Sequence, residues 1–549
     1  MPGLPHHEDL SSLSPFELKD KLIALAEDGA KHGTAQLLNA GRGNPNWIAT
    51  LAREAFLCLG QFALDECRRV WNEPTLAGMP AKAGIAYRLE SSLDRRARSE
   101  CQVWIGKALD YCVSQLGFEP DALVHEWADG IAGDNYPAPG RMLFHCERIV
   151  HRYLLQILGA EEGLKGRFDL FATEGATAGI CYLFDSLIVN GLLERGDRIA
   201  LAVPVFTPYI EIPRLERYAF DVVEIVASET REDGGHTWQY PKEEIDKLLA
   251  ADIKALILVN PSNPPSVAMR ASTAQRLVDI VRNERPDLIV ITDDVYATFV
   301  EGFRSLLLAL PYNTVCLYSF SKYFGCTGWR LGVIALHEHN ILDAKLARRA
   351  SHQRAAAARR YAGISLEPGQ LKFIDRLVAD SRQVALNHTA GLSTPQQVQM
   401  ALFALAELVD GQHEYRTQTR DILQRRLKAL WDGLGATLTD DPLRAGYYAE
   451  LDLMVWARRH YGEDFVRYLR EHHEPLDLLH ALAEESSVVL MPGGGFEGPE
   501  WSVRVSLANL PEEAYAKIGK CLRKIAAGYV AQWEASKAAC PAVSSERRE

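Results

Sequence analysis

Lys322 is the residue of this chain best placed by its neighbours to act as a nucleophile. It stands in Tyr318–Gly332, YSFSKYFGCTGWRLG, just after the apolar run Thr314-Val315-Cys316-Leu317, which reads as a buried strand. A lysine held in a turn at a strand end is desolvated and set beside other cations. Both effects lower its pKa and make the amine nucleophilic. Ser319, Ser321 and Arg330 surround it, and Gly325, Gly328 and Gly332 keep the backbone thin and free to turn. Ser319 and Arg330 can hold an anion such as phosphate, because arginine presents a planar fork of donors. An amine beside a phosphate grip is what a pyridoxal phosphate Schiff base needs. Taken alone, the stretch also reads as a surface loop with scattered charges.

The elements around it narrow the choice. Apolar runs at 168–173, 198–206, 253–260, 288–296, 314–320 and 331–337 read as strands, and helical patterns separate most of them. This βαβ rhythm predicts a mostly parallel sheet with helices on both faces, whose site lies beyond the carboxyl ends of the strands. Phe206, Asn263, Asp293, Tyr296 and Lys322 all fall at such ends. The turn Glu174-Gly175-Ala176-Thr177 leads from strand to helix and offers free backbone N–H groups to an anion. Upstream, Ser14 is a predicted N-cap for a helix running to about Asp28, and LLNAGRGNPNW (37–47) is a tight turn. Residues 51–130 are helical in pattern, 133–141 form a loop, and a helix follows. Residues 340–361 form an Ala/Arg-rich helix, read as solvated or subunit-facing in preference to nucleic-acid binding. Residues 395–435 are helical, and strand-like pieces at 446–456, 486–494 and 501–510 precede a final amphipathic helix and a polar tail expected to fray.

Composition excludes several classes. The chain has 549 residues, 47% hydrophobic, with a formal net charge of −12. Global disorder and a general nucleic-acid role are both disfavoured. No apolar run approaches the roughly 18 residues of a membrane span. The ten cysteines show no CxxC pair or zinc-ligand spacing, so no metal site is expected. The polar N-terminus lacks an apolar h-region, and reduced thiols in the cytoplasm are the expectation.

NPSNPPS (260–266), DDVY (293–296), SFSKYFGCTGWRLG (319–332) and VRVSLANL (503–510) occur in that order. Together they resemble the fold type I pyridoxal 5'-phosphate enzymes of the aspartate aminotransferase family, over roughly residues 35 to 525. The resemblance implies a large α/β domain with a mostly parallel sheet and a smaller α+β domain. Residues 61–385 would be the large cofactor domain and 386–549 the small one. Residues 1–60 would pack with the small domain, and insertions would lie near 50–130 and 340–385. It also implies roles. Lys322 matches the Schiff-base lysine and Asp293 the partner of the pyridine nitrogen. Asn263 and Tyr296 would hold the ring oxygen, and Phe206 would stack on the ring. Gly175, Ala176, Ser319 and Arg330 match the phosphate cradle. Tyr136, in NYPAPGR, matches a tyrosine that reaches the neighbouring subunit's phosphate. Arg504 would fork the substrate α-carboxylate, with Gly43 allowing close backbone approach.

The chain departs from the common pattern between Gly43 and Tyr136 and at 340–385, which are both expanded. SPFELKDKL, NAGRGNPNW, GDNYPAPGRML and HTAGLSTPQQ are similar to the aspartate 4-decarboxylase branch of the family, insertions included. That branch implies conversion of L-aspartate to L-alanine and carbon dioxide, with an aminotransferase side reaction using a 2-oxo acid. It also implies a homo-oligomer built from dimers, a dodecamer being one candidate size. Arg42 is the first candidate to orient the second carboxylate, and Lys19, by resemblance, a further one. A plain dicarboxylate aminotransferase and a non-enzymatic regulator on the same fold remain as alternatives.

Overall fold

The computed structural model of the chain describes residues 15–31, 36–94, 99–136, 140–160, 166–384 and 391–539. The predicted cap Ser14, positions 137–139 of the NYPAPGR loop, positions 388–390 of HTAGLSTPQQ and the tail after 539 lie outside them.

Among the described residues, seven strands form the main sheet. They are β2 (Phe168–Thr173), β3 (Arg198–Val203), β4 (Asp221–Val226), β5 (Ile253–Val259), β6 (Ile289–Asp293), β7 (Thr314–Ser319) and β8 (Gly332–His337). Their order is β2-β8-β7-β6-β5-β3-β4. Strand β8 runs antiparallel to both neighbours, and every other pairing is parallel. Every residue of β6, β7 and β8 is buried, as expected of central strands covered on both faces. Strand β4 was not anticipated from sequence. It is the edge strand after β3, only partly buried, so its apolar signal is weak.

A three-stranded antiparallel sheet stands apart from the first: β9 (Tyr448–Asp452), β11 (Met491–Pro492) and β12 (Ser502–Ser506), in the order β11-β12-β9. Arg504 lies directly across from Glu450 in its register. The strand expected over 446–456 stops at Asp452 and turns into the helix Leu453–Tyr461. The reason is a cap: the Asp452 carboxylate accepts from the backbone N–H of Met454 at 2.8 Å and of Val455 at 3.3 Å. The single helix expected over 340–361 is broken into Ile341–Ala347 and Ser351–Tyr361.

The N-terminal region is stitched to this small sheet. Strand β1 (Leu38–Asn39) pairs in parallel with β10 (Val488–Val489), and Ser506 N–H donates to Ala40 C=O at 2.8 Å. The helix Pro15–Lys31 packs on Asp477–Ser486 and on β11. The expanded segment after Gly43 is a block of helices, Thr50–Arg69, Ile85–Asp94, Glu100–Leu116 and Pro120–Ala132. The helix Thr394–Val409 packs against the first and last of these and against Phe144–Ile157.

Candidate active site

The turn after β7 is held from several sides. Trp47 Nε1 donates to the carbonyls of Lys322 at 3.2 Å and Tyr323 at 3.0 Å, and Tyr415 OH reaches the Tyr323 carbonyl at 2.9 Å. The Tyr323 hydroxyl donates to buried Glu407. Gly325 has φ +58°, and a Cβ there would lie 1.9 Å from the Trp47 carbonyl oxygen, so only glycine fits. The fixed turn leaves Lys322 Nζ free to donate to Gly43 C=O at 3.0 Å.

Asp293 sits at the end of β6, buried. Its Oδ2 accepts from Tyr209 OH at 2.7 Å and its Oδ1 from Val295 N–H at 3.1 Å. Burial pushes its carboxyl up to about 6, opposed by those hydrogen bonds and by the positive charge of Lys322. Such an aspartate gains from a cationic partner. Phe206 is half-buried, its ring 6.5 Å from that of Tyr209. Asn263 Nδ2 donates to Tyr296 OH at 3.4 Å, and Tyr296 OH in turn donates to Tyr448 OH at 3.4 Å.

An anion cradle lies beside the lysine turn. Gly175 precedes the helix Ala176–Val189, whose first N–H groups are open to an anion. Arg330 takes a left-handed conformation and spans Thr327 C=O at 3.0 Å and Glu174 C=O at 3.2 Å. A Cβ on Gly175 would come within 2.4 Å of Arg330 Nη2, so the loop and the guanidinium are in contact. Ser319 Oγ accepts from Ser321 N–H at 3.3 Å, while the buried Ser321 Oγ has no partner among the described residues. An orphaned hydroxyl in a cradle of N–H groups and an arginine is a fit for a phosphate.

The small sheet and the N-terminal loop close the site from the other side. Arg504 donates through Nη2 to Gly41 C=O at 3.0 Å and through Nη1 to Asn263 Oδ1 at 3.4 Å. Its guanidinium lies 4.5 Å from the ring centres of both Tyr448 and Phe496. Gly43 is wedged against this wall: a Cβ there would be 2.8 Å from Tyr448 OH and 3.2 Å from Lys322 Nζ. Arg42 is exposed between the two loop glycines. Lys19 pairs with Asp20 at 3.3 Å, on the helix that packs against β11. Tyr136 is 73% exposed on the chain.

The expected residues thus converge from two sheets, with Arg42, Lys19 and Tyr136 the less engaged ones. Three residues were missed. Tyr209 holds Asp293, Tyr448 faces Lys322 and Glu450 lies across from Arg504. The alternation within GYYAELD was the available signal, because Tyr448 and Glu450, two positions apart on β9, share a face. Burial alone would push the Tyr448 phenol up. The positive charges of Lys322 and Arg504, with the hydrogen bond from Tyr296, bring it below the usual tyrosine range. Burial raises the Glu450 carboxyl to about 8, against the opposing Ser502 hydrogen bond of 2.8 Å. A cavity of about 480 Å³ behind the small sheet is lined by Trp238, Trp431 and Arg444 together with Tyr448 and Glu450. It does not include Lys322 or Asp293.

Residues 173–520 match the family model for class I and II aminotransferases. Over 531 residues the chain is 45% identical to a bifunctional aspartate aminotransferase and L-aspartate beta-decarboxylase from a Pseudomonas species, covering 96% of this chain and 98% of the relative. An aspartate aminotransferase from Pyrococcus horikoshii is 27% identical over 30% of this chain and 40% of its own length. The fold is similar to a solved Thermus thermophilus aspartate aminotransferase mutant, with TM-score 0.54, 17% identity and coverage of 96% of this chain and 100% of that one. It is likewise similar to a putative kynurenine aminotransferase from Saccharomyces cerevisiae, with TM-score 0.55, 17% identity and coverage of 95% and 100%. The buried aspartate, the lysine at the end of β7 and the anion cradle fit the cofactor of that family. The chain therefore belongs to the class I and II aminotransferases, enzymes of fold type I that work with pyridoxal 5'-phosphate.

Proposed function

We propose that this enzyme removes the β-carboxylate of L-aspartate, giving L-alanine and carbon dioxide, with aspartate aminotransferase activity as a side reaction. One observation carries the reading. The loop Gly41–Gly43 is gripped by Arg504 at one glycine and by Lys322 at the other, with the exposed Arg42 between the two glycines. The name borne by the relative that is 45% identical over 96% of this chain supports it.

When bound, pyridoxal phosphate supplies an electron sink at the carbon attached to the substrate nitrogen. The residues of the chain do the rest. Asp293 balances positive charge on the ring nitrogen, and Asn263 and Tyr296 hold the ring oxygen. Phe206 covers the ring. Gly175, Ala176, Ser319 and Arg330 grip the phosphate, with the Ser321 hydroxyl. Arg504 receives the α-carboxylate as a planar fork. Lys322 takes the proton from Cα and returns it. Arg42, with Lys19, orients the β-carboxylate without holding it so tightly that its loss as carbon dioxide is opposed. Of the two side-chain carboxylates, only that of aspartate is close enough to the nitrogen-bearing carbon to give its bonding electrons to such a sink; that of glutamate is one carbon too far. Aspartate is therefore decarboxylated, while L-glutamate is only transaminated with a 2-oxo acid acceptor.

The same reading extends to organisation. The N-terminal segment 1–60 packs with a small domain of 386–549, beside a large domain of 61–385. The β1–β10 pairing and the Gly41–Arg504 contact support the first part. The minimal assembly is a dimer in which the exposed Tyr136 serves a neighbour's phosphate, larger homo-oligomers are built from it, and the enzyme works in the cytoplasm. Purified protein given L-aspartate labelled at C4 should release labelled carbon dioxide and form alanine. Release from C1, or oxaloacetate with no carbon dioxide, would overturn the reading.

A further inference from the structure

Tyr448 is a buried hydroxyl that the steps above leave without a task. Its ring lies against Arg504, 4.5 Å from guanidinium carbon to ring centre. Its hydroxyl reaches the other end of the substrate space. The point 2.8 Å from that oxygen, where Gly43 lacks a Cβ, is also 3.2 Å from Lys322 Nζ. One side chain therefore runs from the α-carboxylate grip to the lysine. Tyr296 donates to the Tyr448 oxygen at 3.4 Å, which leaves the Tyr448 proton available to another acceptor. Lys322 after β7 and Arg504 on β12 face it with positive charge. Tyr296 after β6 and Tyr447, just before β9, face it with neutral hydroxyls, and both positive charges favour loss of its proton.

β-Decarboxylation has a demand that transamination lacks. A proton must be delivered to Cβ, whereas transamination moves protons only around Cα. A single amine at Lys322 serves Cα, and Tyr448, carried by β9, sets a second proton-bearing group against Gly43 beside that amine.

We propose that Tyr448 is the acid that protonates Cβ once the β-carboxylate has left. The inference rests on the decarboxylase reading above. The Cβ–carboxylate bond breaks, carbon dioxide departs, and the electron pair of that bond stays with the substrate, for which the bound cofactor would supply the sink. Cβ then takes the proton of the Tyr448 hydroxyl with that pair, forming the methyl C–H bond of alanine. The phenolate left behind is held by Lys322 and Arg504, and water returns its proton.

The test is Tyr448→Phe in the holoenzyme, which keeps the ring against Arg504. Steady-state alanine formation from L-aspartate should fall by at least about tenfold, the low end for loss of a general acid. Transamination of L-glutamate with a 2-oxo acid should fall by clearly less than alanine formation does, since it needs no proton at Cβ. In a rapid-mixing experiment the variant should release carbon dioxide in a burst ahead of alanine. A readout independent of turnover is the ultraviolet titration of tyrosinate in the full-length protein. One tyrosine should ionise below the others in the parent, be absent in Tyr448→Phe, and move upward in Lys322→Ala. An equal loss of both activities would mean a structural role and overturn the proposal, as would unchanged alanine formation. If the parent releases no carbon dioxide from L-aspartate, the decarboxylase reading falls and this one with it. If the parent does and the variant keeps pace, only the assignment of Tyr448 falls.

Discussion

Asp293 and Arg504 are the two buried charges that face the site, one on each sheet, and their surroundings differ. Both oxygens of Asp293 are taken, by Tyr209 OH at 2.7 Å and Val295 N–H at 3.1 Å. Asp293 is fixed before any ligand arrives. On the small sheet, Arg504 Nε and Ser506 Oγ, both able to donate, have no partner among the described residues. Buried polar atoms are nearly always paired, so a cluster of open ones marks where a further group completes the structure. Asp293 on the large sheet is a preformed seat, while the anion cradle beside it keeps the open Ser321 hydroxyl. The small sheet and the Gly41–Gly43 loop present a grip that the substrate carboxylates finish, which suits a wall that must release a product.

The sharpest way to break this contrast is Lys322→Ala. It should leave the fold intact and reduce turnover by at least about 10³-fold, within the range for loss of an essential proton carrier. Borohydride should fix the cofactor to Lys322 in the parent, and peptide mass mapping that finds it on another lysine would overturn the assignment. Asp293→Asn comes next. It should cost about 10²-fold or more in turnover through loss of charge balance on the cofactor. In the parent, acid protonates Asp293 around its pKa of about 6 and removes that balance, so cofactor affinity should fall as pH drops through this region. The asparagine variant should bind weakly and show no such dependence when cofactor fluorescence is titrated against pH.

Changes on the small sheet should act on substrate and spare the cofactor. Arg504→Lys should raise KM for L-aspartate by about 10- to 100-fold, the value of a charged hydrogen bond and its lost fork. Cofactor absorbance should be unchanged; loss of bound cofactor in this variant would erase the division between the two faces. The smallest effect concerns stability. Burial raises the Glu450 carboxyl from 4.5 to about 8 in the folded chain. Its favourable contribution is complete below pH 4.5 and is lost as pH rises to about 8, because the unfolded chain ionises first. Glu450→Gln should therefore raise Tm at pH 8 and above and change it little near pH 4.5, which thermal melts across pH would check.

The amino-acid sequence by itself determined most of the large-sheet face. Strand ends, a turn lysine and a strand-to-helix glycine are local patterns, and β2 is found at 168–173 as expected. Ser319, Lys322 and Arg330 are neighbours along the chain, so their spacing alone brings them together. Distant partners left no such mark. Tyr209 and Asp293 are 84 positions apart, and Lys322 and Gly43 are 279 apart. Tyr448 fell within the strand-like piece 446–456 with no role assigned, and Asp452 was read as part of that strand instead of its end. Only the folded chain decides these, because a side chain's partner across two sheets depends on how the sheets pack. The period of a strand gives which residues share a face, while tertiary packing gives what that face meets.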